Sequence, residues 1–212
     1  MIFAILPVKN PKNAKQRMSE LLCAEDRETL ARLLYKETLA ELCAAKGIDR
    51  VVVVSNDRES VEHARTCGAI VFEEDEQVTH SVSADAACKR AMEMGATTAL
   101  LVPIDVPLVT ADDFSRLADA ARPGLVIVPS ADGTGTNALV RTPPNIIESR
   151  FGPGSFRTHV EQARSKGALV EVLRVPGLMF DIDTPEDVSE LLHRAPPQTS
   201  VCEFLRTTCA LK

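Results

Sequence analysis

Apolar runs bounded by glycine, proline and acidic residues recur along the chain and set the expected architecture before any single residue does. Residues 2–8 (I-F-A-I-L-P-V) are apolar without a break, which predicts a strand buried on both faces, as in a parallel sheet. Residues 25–46 follow another period. Leu30, Leu33, Leu34, Thr38, Leu39 and Leu42 recur at three- and four-residue spacing ahead of Gly47, the pattern of a helix with one apolar face and a glycine stop. Four consecutive valines mark a second buried strand at 50–55, followed by a helix over 57–67 that ends at Gly68 and a short strand at 69–72. A helix capped by Ser81 or Ser83 then runs to Met94, and 99–104 forms the next strand. Thr110 caps a further helix, 125–128 is a strand, and Ser155 caps a helix over 155–166. A strand at 169–174, a turn at Pro176-Gly177 and a helix from Thr184 to about His193 complete the pattern. Such alternation predicts one α/β domain: a doubly wound, mostly parallel sheet with helices on both faces. The domain spans 1–194. The Pro196-Pro197 break sets off a tail, 195–212, that either packs back or meets a second copy of the chain in a homodimer.

Composition narrows the classes. With 212 residues and 45% apolar content the chain buries one full core, and a net charge of −6 supplies no basic field for nucleic acid. No stretch reaches the ~18 apolar residues of a membrane span, and the first apolar run lacks the basic residues of a signal peptide. Six cysteines without C-x-x-C spacing read as reduced thiols in a cytoplasmic protein.

Against that acidic background, Lys9, Lys12, Lys15 and Arg17 fall in nine positions with no acid among them. They leave the carboxyl end of the first strand, where ligands of open α/β sheets bind, so the run is either an anion patch or a solvated loop. Asp105 stands in L-L-V-P-I-D-V-P-L, where a lone ion would be costly and must be hydrogen-bonded, protonated or metal-bound. Asp181 and Asp183 share one side of an extended segment by period-two spacing. They serve either the following helix start or a site. Two glycine loops, 132–136 and 151–155, offer backbone amides and the hydroxyls of Thr134, Thr136 and Ser155 to an anion. The string G-T-G-T-N-A matches a dinucleotide-binding fingerprint, yet Pro143-Pro144 leaves no room for the helix that fingerprint requires. Asp85, early in its helix, either accepts from a base edge or balances the helix dipole.

The sequence D-G-T-G-T-N-A-L, followed by R-F-G-P-G-S-F-x-x-H, resembles the guanylyltransferases of deazaflavin coenzyme F-420 biosynthesis. These belong to the superfamily that includes molybdenum-cofactor guanylyltransferases, with a nucleotide-diphospho-sugar transferase-like fold. The resemblance implies transfer of GMP from GTP to a phosphorylated three-carbon acid: 2-phospho-L-lactate, phosphoenolpyruvate or 3-phosphoglycerate. It further implies Mg²⁺ on Asp105 and Asp183, Lys15 and Asp105 as catalytic residues, and nucleotide binding by Lys9, Lys12 and Arg17; at S-V-S-A-D-A-A the chain departs from the family's G-L-N-A-A-type segment, so nucleotide binding by Asp85, at the base edge, rests on its own chemistry and not on the resemblance. Thr136, Gly152 and Ser155 would hold the acid, and Asp181 would support the metal ligands. Relatives that act on sugar phosphates or pterins carry a glycine-rich loop after the first strand, and V-K-N-P-K-N-A-K-Q-R-M has no glycine. A non-catalytic nucleotide sensor would have little reason to keep both aspartates in apolar settings.

Overall fold

The computed structural model describes residues 1–76, 79–194 and 199–210. In chain order the elements are β1 (Ile2–Pro7), α1 (Ala24–Ala44), β2 (Arg50–Ser55), α2 (Arg58–Thr66), β3 (Ile70–Glu73), α3 (His80–Glu93), β4 (Thr98–Leu101) and α4 (Ala111–Asp119). There follow β5 (Gly124–Pro129), β6 (Thr136–Thr142), α5 (Ser155–Ser165), β7 (Val170–Val172), α6 (Pro176–Met179), α7 (Pro185–His193) and α8 (Ser200–Ala210). The strands form one sheet in the order β3-β2-β1-β4-β6-β5-β7. Every pairing is parallel except those of β6, which is antiparallel to both β4 and β5.

That single reversal decides where the site loops lie. A β5–β6 hairpin closes in a few residues, as only an antiparallel pair can. Its turn therefore sits at the carboxyl ends of the parallel strands, beside the loops that leave β1 and β4. Strand order also reverses direction there: β2 and β3 lie to one side of β1, and β4 to the other. A crevice at such a switch point is where open α/β sheets take ligands.

The apolar run of β1 is buried on both faces, as its sequence requires. Leu6 packs with Leu39, Val53, Leu100 and Phe114 on one side, and Ile5 with Val52, Ala84, Leu101 and Ile127 on the other. Each such side chain contributes about 1.5–3 kcal/mol by leaving water. A third cluster joins Met18, Leu30, Leu34, Ile182 and Leu191 to Val201, Cys202 and Leu205 of α8, so the tail helix packs back over α1 and α7. The 195–198 break and residues 211–212 lie outside the described residues.

Several boundaries differ from expectation for local reasons. β4 stops at Leu101, two residues before Pro103, which has no N–H to give a ladder. Pro176 and Gly177 begin the single helical turn α6. The cap of α3 is Thr79, whose side chain accepts from Val82 N, and Ser81 Oγ instead accepts from Phe151 N at 3.0 Å. α5 begins after Gly154 at φ 71°, with Ser155 as its first residue rather than its cap; the left-handed backbone there suits glycine. Among the described residues no helix is long and apolar enough to cross a membrane.

Candidate active site

After β1 the chain winds through two short 3₁₀ turns, Pro11–Asn13 and Gln16–Met18. Between them Lys15 adopts φ 52° and ψ 39°, a left-handed conformation that costs a non-glycine residue about 1–3 kcal/mol. The result is a lysine turned inward, its side chain 6% exposed. Lys15 Nζ donates to Asp105 Oδ2 (3.2 Å), Asp183 Oδ1 (2.9 Å) and the Ile182 carbonyl (2.7 Å), which uses all three of its protons. One ammonium thus joins segments 90 and 168 residues distant. Burial works to strip its proton, but Asp105 and Asp183 outweigh that, and the lysine pKa lies above its ordinary value. A further bond, Ile182 N to the Asp105 carbonyl at 3.0 Å, ties the two acidic segments together.

Asp181 is held separately. Asn137 Nδ2, buried at the start of β6, lies within hydrogen-bonding distance of Asp181 Oδ1 (3.0 Å) and of the Leu178 (2.9 Å) and Met179 (3.2 Å) carbonyls. Burial pushes the Asp181 carboxyl above its usual range, with Asp105 and Asp183 adding to the effect and the Asn137 bond opposing it.

Facing this charged cluster are the two glycine loops. In the hairpin, Asp132 accepts from Ser130 Oγ, Thr134 N and Thr134 Oγ1, which pulls its carboxyl down to about 2. Ser130 Oγ in turn accepts from Gly135 N at 2.7 Å, an approach so close that a side chain on Gly135 would collide with it. Phe156 N donates to the Thr134 carbonyl at 3.1 Å, joining the hairpin to α5. The second loop turns through Gly152 at φ 127° and Gly154 at φ 71° and brings Ser155 to the cleft wall. The Ser155 hydroxyl has no hydrogen-bond partner among the described residues. Behind Thr136 stands His159 of α5, with Nδ1 at 3.0 Å from Thr136 Oγ1 and Nε2 accepting from Arg150 N at 2.8 Å.

A cleft of about 600 Å³ runs between these two walls. Of the residues singled out from sequence, Arg17, Asp105, Asp183, Thr136, Gly152 and Ser155 all line it, and Lys15 lies directly beneath. Lys9 and Lys12 do not line it. Lys9 is partly buried, which lowers its pKa against the opposing pull of Glu74, and Lys12 lies exposed on the first 3₁₀ turn. Asp85, expected at a base edge, is engaged elsewhere. It pairs with the fully buried Arg141 at 2.9 Å and accepts from Ser149 N and Oγ at 2.9 and 2.7 Å. Its carboxylate thus serves the interior cation of β6 and does not reach the cleft.

Polar cleft residues that the sequence pattern did not single out include His80, Ser130, Asn137, Glu190 and Arg194. Asn137 carried a signal, a side-chain amide inside an otherwise apolar segment, which must find partners if buried. His159 stood within the quoted motif without a role. Among the described residues no three His, Cys, Asp or Glu side chains are gathered in a way that could hold a metal ion.

A family model described as guanylyl transferase CofC like matches residues 2–209. The phosphoenolpyruvate guanylyltransferase of Sphaerobacter thermophilus is 41% identical over 199 residues, spanning 91% of this chain and 93% of that protein. The 2-phospho-L-lactate guanylyltransferase of Methanothermobacter thermautotrophicus is 33% identical over 206 residues, with 96% and 89% covered. Among solved structures, a Desulfovibrio desulfuricans G20 protein described as a nucleotide-diphospho-sugar transferase superimposes with a TM-score of 0.80 at 17% identity, over 99% of this chain and 96% of that one. At that identity the likeness speaks to the fold.

Proposed function

This chain belongs to the CofC-like guanylyl transferase family, and on that premise we propose that it transfers GMP from GTP to a phosphorylated three-carbon acid in coenzyme F-420 biosynthesis. Phosphoenolpyruvate is the first acceptor to test, given the name of the relative at 41% identity; 2-phospho-L-lactate and 3-phosphoglycerate are the alternatives. The observation that carries the reading is the convergence of Asp105 and Asp183 on Lys15, in the same cleft that Thr136, Gly152 and Ser155 line.

A magnesium ion fits this donor set. The cleft wall carries Asp105, Asp181 and Asp183 against the guanidinium groups of Arg17 and Arg194, so a triphosphate needs further positive charge to enter. Lys15 engages only Oδ2 of Asp105 and Oδ1 of Asp183, which leaves the other oxygen of each carboxylate for a hard cation. Mg²⁺ takes few protein ligands and completes its shell with water and phosphate oxygens, in keeping with a pair of aspartates rather than a full protein cage. Asp105 and Asp183 would hold it, and it would offset phosphate charge.

The acceptor phosphate has a second pKa of about 6 by analogy with phosphorylated side chains and arrives largely deprotonated. Its oxygen forms a bond to the α-phosphorus of GTP as the bond from that phosphorus to the bridging oxygen breaks, and pyrophosphate leaves with the electron pair. No side chain has to take a proton. What falls to the protein is positioning: Lys15 fixes the two aspartates, Arg17 meets phosphate, and the hydroxyls and amides of the two loops orient the acid. The test is mass spectrometry of reactions with GTP, Mg²⁺ and each acid in turn. A guanylylated acid with equimolar pyrophosphate is expected from at least one of them, and GTP binding without pyrophosphate release from any would reject the reading.

A further inference from the structure

We propose that His159 is a positioning residue for the acceptor: its Nδ1–H occupies the Thr136 oxygen, so that the Thr136 hydroxyl is preset to donate its own proton into the cleft. The inference rests on the acceptor-side reading above and deepens it.

The argument runs through a tautomer. A backbone N–H can only donate, and Arg150 N lies 2.8 Å from His159 Nε2, so Nε2 must carry a lone pair and no proton. The ring proton of a neutral imidazole is then on Nδ1, 3.0 Å from Thr136 Oγ1. Thr136 Oγ1 is therefore the acceptor in that bond. Its single proton remains to be placed, and no other partner for it exists among the described residues. Thr136 lines the cleft, which is where an incoming anion would supply one. A carboxylate or phosphate oxygen only accepts, so a hydroxyl already turned to donate has no wrong orientation to lose on binding.

The surroundings hold the ring to this role. His159 is fully buried and meets Phe151 edge-on at 5.4 Å; burial, with Arg141 nearby, keeps its pKa down to about 4. Its two bonds also join the two glycine loops, one ending at Thr136 and the other beginning after Arg150. A side chain that only filled space would need neither nitrogen.

Two measurements decide the matter. In protein labelled with ¹⁵N at histidine, long-range proton–nitrogen correlation should give His159 a protonated Nδ1 and an unprotonated Nε2 at neutral pH. A protonated Nε2 would overturn the proposal, whatever substrate the enzyme uses. In kinetics, His159→Gln can place an amide near Nε2 but not near Nδ1, while His159→Asn can place one near Nδ1. We expect H159Q to raise the KM for the acceptor acid about tenfold, one hydrogen bond's worth, with the KM for GTP changed by less than about twofold, and H159N to recover most of the loss. An unchanged acceptor KM in folded H159Q, or equal rises for both substrates, would show a purely structural histidine. Should H159Q fail to fold, Thr136→Val tests the same hydroxyl with His159 intact. It should raise the acceptor KM selectively while Thr136→Ser recovers it, and an unchanged KM in T136V refutes the proposal. If none of the three acids is a substrate, the proposed function fails and the tautomer still decides this inference.

Discussion

The two walls of the cleft are built on opposite principles. One is ionic: a buried ammonium, raised in pKa, holds two carboxylates, one from the middle of the chain and one from near its end. The other works through directed hydrogen bonds. Its carboxylate, Asp132, is consumed by Ser130 and Thr134, its histidine is kept uncharged by burial, and it presents hydroxyls and glycine amides. The difference matches what each wall would meet. A triphosphate is a concentrated charge that fields can gather and hold, whereas a three-carbon acid must be told from others of similar charge, which takes hydrogen bonds of fixed direction.

The most damaging way to break this contrast is to remove the ion at the centre of the charged wall. Lys15→Met keeps the apolar stem of the side chain but leaves Asp105 and Asp183 without their shared partner. We expect kcat/KM for GTP to fall by about 10²–10³-fold, the usual result of deleting a preorganised electrostatic group, while the KM for the acid stays close to its original value. Pyrophosphate release under saturating acceptor measures this, and a variant retaining a tenth of its activity would show that Lys15 merely fills space.

The hydrogen-bonding wall makes a prediction of its own, in stability. Unfolded, His159 takes up a proton near pH 6.5; folded, it resists until about pH 4. Between those values the unfolded chain binds the extra proton, so stability contributed by the neutral ring is fully present above pH 6.5 and drains as pH falls, by about 1.4 kcal/mol per pH unit. Urea midpoints should drop from pH 6.5 to pH 4.5 in the wild type, and the drop should shrink in H159N. Equal slopes for the two proteins would mean that other groups govern the acid limb.

The ionic wall was the more legible of the two in the sequence, and the reason is physical. Asp105 and Asp183 are conspicuous because they interrupt apolar segments, and an ion in such a setting has to be satisfied by something. The strands announced themselves in the same way, through runs whose alternate residues enter the two cores. What local pattern could not reveal was partnership at long range. Asp85 reads equally well as a helix-start acid or a base reader, and only folding brings it to Arg141, 56 residues away. Asn137 meets its partners 41 to 44 residues downstream. The tautomer of His159 depends on Arg150, whose backbone position follows from a loop that sequence shows only as rich in glycine. Of β6 the sequence showed only a segment too short for a helix before Pro143-Pro144, and its antiparallel placement, which puts the hairpin turn at the ligand edge, is a property of the whole sheet.

The basic loop gives the smallest and sharpest test of the comparison. As a string of letters, Lys9, Lys12, Lys15 and Arg17 form one cationic run; as a structure, the two 3₁₀ turns and the left-handed Lys15 deal them to different places. Arg17 lines the cleft and Lys12 does not. A guanidinium in contact with phosphate makes charge-assisted bonds, so Arg17→Ala should raise the KM for GTP about tenfold, at the lower end of what a hydrogen bond to a charged group is worth. An exposed ammonium outside the cleft acts only through a field that salt screens over about 8 Å. Lys12→Ala should accordingly shift that KM by less than about twofold, and the shift should vanish as ionic strength rises. Equal effects from the two substitutions, persisting at high salt, would mean that the loop acts on GTP as a diffuse patch and that its winding selects nothing.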